Sequence, residues 1–177
     1  MHAKNFFPFL VSLASARIGE RAIQKDISIY AYGVGINGFS LYADSTSLAV
    51  IADNDTAVAN DLKNITWTID TTGAAPWNVT IANSSTVGQF YIVPSADENQ
   101  GVGFNTTTPT GAATTGFTIY GSTVEYATET TYESQFYAQN SSTGIWSLMW
   151  NSASETPDDG VPVVLKTVAP ILSLSDI

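Results

Sequence analysis

From Ile27 onward, apolar and polar residues alternate in short runs, separated by Gly, Asn, Pro and Ser-Thr clusters. A period of two is the pattern of strands with one buried face. It predicts eleven strands, at 27–33, 39–43, 47–52, 64–70, 77–82, 88–94, 115–120, 123–127, 133–138, 144–150 and 161–167. So many short strands between turn signals predict an all-β fold, an antiparallel β-sandwich or jelly-roll-like domain with at most one short helix. The helix candidate is 55–63 (DTAVANDLK), with Val58 and Leu62 four residues apart and Asp53 or Asp55 placed to cap it. Residues 144–151 (GIWSLMWN) are apolar on both faces, which marks a central strand. Pro162 demotes the start of the last strand to an edge or bulge position. Residues 95–114 have loop composition throughout and read as a mobile loop.

The stretch Gly33-Val34-Gly35-Ile36-Asn37-Gly38 matches the letters of a dinucleotide-binding fingerprint. The fingerprint requires a helix after the glycines. Here Phe39-Ser40-Leu41-Tyr42-Ala43-Asp44 alternates at period two, so the glycines are read as a hairpin. Asn37-Gly38 is the expected bend, because both central positions of a type I′ turn take positive φ.

The ends differ from the middle. Residues 1–16 (MHAKNFFPFLVSLASA) have a short basic start, an apolar run and a small-x-small ending, the pattern of a secretory signal peptide. Residues 17–26 are charged and read as a spacer or pro-segment. The single β-sandwich domain is expected over 27–168, followed by a short C-terminal tail at 169–177 with no anchor signal.

Charge sharpens the picture. Only 12% of residues are charged, while Ser and Thr number 18 and 22. A hydroxyl-rich surface suits an extracellular protein, and Thr favours strands. The formal net charge is −10, and after Asp26 only Lys63 and Lys166 are basic. Such a chain does not neutralise phosphates, so nucleic acid and anionic membranes are not expected partners. There is no cysteine, and the sole histidine, His2, lies in the leader. Triads, thiolate chemistry and His- or Cys-ligated metal sites are thereby excluded from the mature chain, and neither metal nor cofactor is expected.

Six Asn-x-Ser/Thr sequons stand at Asn54, Asn64, Asn78, Asn83, Asn105 and Asn140. The composition alone gives about 2.5, so the six read as an excess and as glycosylation sites. Trp67, Trp77 and Trp146, in predicted strands, are candidate glycan-contacting residues, since an aromatic plane stacks on the apolar face of a sugar. Tyr91, Tyr120 and Tyr137 are further aromatics in strands; burial in the core is the competing role for all six. For an enzyme, the remaining chemistry is a carboxylate pair, or Lys63 and Lys166 as base or Schiff-base former. Glu125, Glu129 and Glu133 share a parity, and across a hairpin Glu125 and Glu133 are expected to stand opposite each other as alternative acid and base. A solvated acidic face is the simpler role for them. Asp97 with Glu98 and Asp158 with Asp159 are further acid pairs. The 53–55 and 158–160 loops carry oxygens of the kind that ligate Ca²⁺, but neither has EF-hand spacing, so plain turns are expected.

The segments Ile29-Tyr30-Ala31-Tyr32-Gly33, Phe90-Tyr91-Ile92-Val93-Pro94, Gly116-Phe117 with Tyr120-Gly121, and Val161-Pro162-Val163-Val164-Leu165-Lys166 resemble a family of small secreted fungal proteins of uncharacterised activity. The resemblance implies a secreted β-rich domain from a fungal source and carries over no active site. The expectation from the sequence is therefore a secreted, glycosylated, non-enzymatic protein of the cell surface or secretome. Its role would be binding or coating, with cell-wall or host polysaccharide as partner. A carboxylate-dependent glycan-active enzyme is the alternative.

Overall fold

The computed structural model describes residues 23–84, 87–95, 98–153 and 159–171. The expected signal peptide, most of the expected spacer and the end of the tail lie outside them, as do Asp97 and Asp158. Fifteen antiparallel strands and one short helix make up the described chain. The strands are β1 (Ile23–Ile27), β2 (Tyr30–Gly33), β3 (Ile36–Ala43), β4 (Ala49–Ala52), β5 (Lys63–Asp70), β6 (Asn78–Ile81) and β7 (Val87–Tyr91). They continue with β8 (Gln100–Gly101), β9 (Gly103–Asn105), β10 (Phe117–Tyr120), β11 (Thr123–Ala127), β12 (Tyr132–Glu133), β13 (Phe136–Ser142), β14 (Ile145–Trp150) and β15 (Gly160–Lys166). The helix α1 (Asn54–Ala59) sits between β4 and β5.

One group of strands, β1, β5, β6, β7 and β9, forms a sheet joined to the rest through β3 and β5. In the other group the pairings close on themselves. β2 pairs β3, β3 pairs β4, β4 pairs β14, β14 pairs β13, β13 pairs β15, and β15 pairs β2. One core lies between the two groups and draws on both, with Trp67, Val79, Phe90 and Phe104 from the first and Ala31, Leu41, Leu148 and Leu165 from the second. Its centre is aromatic. Phe90 stands 4.6 Å from Phe117 and 5.1 Å from Trp67, in tilted and edge-on arrangements that suit ring quadrupoles. Trp77 donates its indole N–H to the Asp70 carbonyl at 2.7 Å, which satisfies the one polar group it buries.

Three expectations are corrected. The hairpin bend is at Val34-Gly35, not Asn37-Gly38: Gly33 pairs Ile36, and only Gly35 of the two loop residues has positive φ (75°). Position i+2 of a type II turn requires this. Gly38 is instead the extra residue of a bulge in β3, where pairing passes from Ala31↔Phe39 to Tyr32↔Asn37. Second, residues 95–114 are not loop throughout. β8 pairs β14, β9 pairs β7, and Val102 and Phe104 are fully buried. Third, β1 falls within the charged stretch before Ile27, where Ile23 pairs Asp70 and Ile27 pairs Trp67.

The helix is shorter than the 55–63 run. Its N-cap is Asp53, which accepts from the Thr56 N–H and hydroxyl, both at 2.8 Å. α1 lies outside the strand circuit, over a second apolar cluster of Tyr42, Val50, Ala52, Ala57 and Ile145. It thus covers part of the outer face of β3, β4 and β14, while residues 168–171 border the β2–β15 side.

Candidate binding face

Of the tryptophans read as glycan contacts, Trp67 (1% exposed) and Trp77 (0%) are core residues and offer no surface to a ligand. Their places on β5 and before β6 turn both rings inward, where aromatic volume is needed. Tyr91 and Tyr137 are buried as well. Trp146 is half-buried and lines an open cleft of about 530 Å³ with Asn140, Asp159, Gly160 and Val161. Tyr120 is 76% exposed.

Glu125 and Glu133 do not come opposite each other. The β11–β12 register pairs Tyr126 with Glu133 and Ala127 with Tyr132. One residue of offset puts the two carboxylates on opposite faces of the ribbon. Glu129 lies in the exposed turn between them, where the Thr128 N–H donates to the Thr131 carbonyl. The 53–55 loop is the helix cap, and no group of three or more His, Cys, Asp and Glu gathers among the described residues. Asn54, Asn64, Asn83, Asn105 and Asn140 are exposed, while Asn78 is half-buried in β6, between β5 and β7.

The structure assembles a different set of side chains on the outer face of β2, β15, β11 and β10. Ala31 and Leu165 point into the core, so their neighbours Tyr30, Tyr32, Val164 and Lys166 point out. Registers then fix a row across five strands. Ser40 pairs Tyr30, Tyr30 pairs Lys166, Lys166 pairs Thr123, and Thr123 pairs Tyr120. At the usual strand spacing this row is about 19 Å long. A second row places Asn37, Tyr32 and Val164 side by side. Glu125, two residues from Thr123, shares the face.

The face is stiffened from one side. The Tyr32 hydroxyl donates to the Val168 carbonyl at 2.8 Å, and the Lys166 ammonium stands 5.3 Å from the Tyr32 ring centroid, a cation–π distance. Burial, and then the neighbouring Tyr30 phenol, push the Tyr32 pKa above the usual tyrosine value. The phenol therefore stays protonated and remains a donor. Residues 168–171 border the rows and leave a cleft of about 440 Å³ beside Tyr32, Asn37, Ser122 and Lys166. On their other side a groove holds Tyr30, Ser40 and Asn54.

No protein-family model, curated protein or solved structure matches this chain. The face must therefore be judged on its chemistry. It combines aromatic planes, hydroxyls, an amide, one cation and one carboxylate, with no histidine or cysteine. Such a set stacks and hydrogen-bonds, and it suits an uncharged polar ligand better than an ion. The sequence marks Tyr120 as a strand aromatic and Lys166 as a candidate base, but marks neither Tyr30 nor Tyr32 as a site residue. Their shared parity within Ile29–Gly33 and Val163–Lys166 was readable. The pairing of two segments 136 residues apart was not.

Proposed function

We propose that this is a secreted, glycosylated, non-enzymatic protein of the fungal cell surface or secretome that binds neutral polysaccharide on the outer face of β2, β15, β11 and β10. The observation that carries the reading is the row Ser40–Tyr30–Lys166–Thr123–Tyr120, which sets aromatic planes among hydrogen-bonding groups on one outer face, half-buried up to the exposed Tyr120. Large exposed apolar side chains (Val164, Val168, Ile171) lie on or beside it, as at binding surfaces. No sequon falls on these four strands; Asn54 stands at the margin of the face.

The test is depletion of the protein from solution by insoluble chitin, β-glucan or mannan, with release of reducing sugar followed in the same tubes. Depletion by at least one, reduced tenfold or more in a Tyr30→Ala/Tyr120→Ala variant that melts like the parent, is expected. This corresponds to about 1.4 kcal/mol lost. Failure of every polysaccharide to retain the protein, or equal retention of the variant, would overturn the reading. Release of reducing sugar would favour the carboxylate-dependent enzyme instead.

A further inference from the structure

Asn140 and Trp146 are direct cross-strand partners in the β13–β14 pair. Side chains so placed share a face, with Cβ atoms about 4.5–5.5 Å apart. Asn140 is exposed at the strand end, just before the irregularity between Asn140 and Ser142. Trp146 is half-buried, so one part of the indole packs on the core while the rest faces the cleft. That cleft, about 530 Å³, is of ligand-binding size and also carries Asp159. Asn140 is the first residue of the sequon Asn140-Ser141-Ser142.

We infer that the Trp146 cleft is filled by the protein's own glycan: the first sugar on Asn140 stacks on the Trp146 indole, with Asp159 accepting from its hydroxyls. The inference rests on the glycoprotein reading above. Attachment replaces one hydrogen on Asn140 Nδ2 by a bond to the anomeric carbon of a lipid-diphosphate-linked oligosaccharide, and the lipid diphosphate leaves with that proton. The attached sugar then needs no independent binding step, since its effective concentration over the indole is set by a single amide linkage. Stacking covers apolar ring area that is otherwise wet, so the glycan stabilises the β13–β14 pair. A free glycan would have to displace it, which is why the tyrosine face and not Trp146 is the site for external polysaccharide.

The test uses full-length protein secreted from a eukaryotic host. Trp67, Trp77 and Trp150 are fully buried, so collisional quenching of fluorescence reports Trp146. Peptide mass at Asn140 should be shifted. Asn140→Gln should make Trp146 more quenchable and lower Tm by roughly 2–4 °C, the shift expected for one aromatic contact in a domain of this size. Trimming to a single N-acetylglucosamine should preserve both properties, and in a Trp146→Leu background Asn140→Gln should shift Tm no further. A glycosylated Asn140 whose removal changes neither quenching nor Tm overturns the stacking and leaves the glycoprotein reading standing. An unshifted Asn140 peptide overturns the stacking too, and unshifted masses at all six sequons sink the glycoprotein reading with it.

Discussion

Gly38 shows how much one missing side chain does here. Its φ is +75°, and a Cβ would lie 2.6 Å from Pro170 Cβ and 3.0 Å from the Tyr32 hydroxyl. Gly35 has the same φ but nothing within 4 Å of its Cβ position. Alanine at Gly35 should therefore cost only the left-handed backbone penalty, about 1–2 kcal/mol. At Gly38 the same penalty is joined by a steric clash with a proline ring, so Gly38→Ala should destabilise by clearly more than Gly35→Ala. Urea unfolding of the two variants measures the difference, and equal losses would show that Pro170 gives way freely. Asp70 is the buried carboxylate of the described core. Burial raises its pKa, but hydrogen bonds from the Thr72 hydroxyl and the Thr72 and Ala75 amides outweigh that and hold it below the usual value. A depressed pKa means stability that is complete above the unfolded carboxylate pKa of about 3.9 and is lost as pH falls through the folded value. Asp70→Ala should cost about 2–3 kcal/mol at pH 7, by stranding these donors, and less in acid. A variant whose deficit does not shrink below pH 4 would contradict this account.

The elements with strong alternation were legible from the sequence. β3, β5, β10, β11, β13, β14 and β15 stand within a few residues of their expected runs, and the one helix begins at its aspartate cap. The cap should matter beyond its six residues, because α1 covers Tyr42, Val50 and Ile145. Asp53→Ala should cost about 1 kcal/mol by calorimetry, as for other N-caps. What was misread has a common physical cause. Glycine carries no hydrophobic signal, so β8 and β9, written Gln100-Gly101 and Gly103-Phe104-Asn105, passed for loop although Gly103 sits against Tyr91 with no room for a Cβ. The Asn37-Gly38 dipeptide has the composition of a turn and serves as a bulge, since the same positive φ satisfies both. Register is set by turn length rather than by side-chain type, and this separated Glu125 from Glu133.

The candidate face depends on the last strand finding the second. Tyr30 pairs Lys166 across almost the whole domain, and β15 also contacts β13 and β11. No pattern within either segment announces such a partner, which is why the tyrosine row was not legible while its strands were. Loss of residues 160–177 should therefore abolish the cooperative thermal transition of the entire domain, not merely remove an edge; a retained sharp transition would show that β2 and β13 are stable without β15 between them. Closure of the pairing around β2, β3, β4, β14, β13 and β15 has one more consequence. Extracellular proteases draw their substrates into an extended conformation by hydrogen-bonding to an unpaired strand edge. Six strands of this domain are paired on both sides, so cleavage within β2 or β15 has to wait for unfolding, and resistance to digestion there becomes a matter of how slowly the circuit opens.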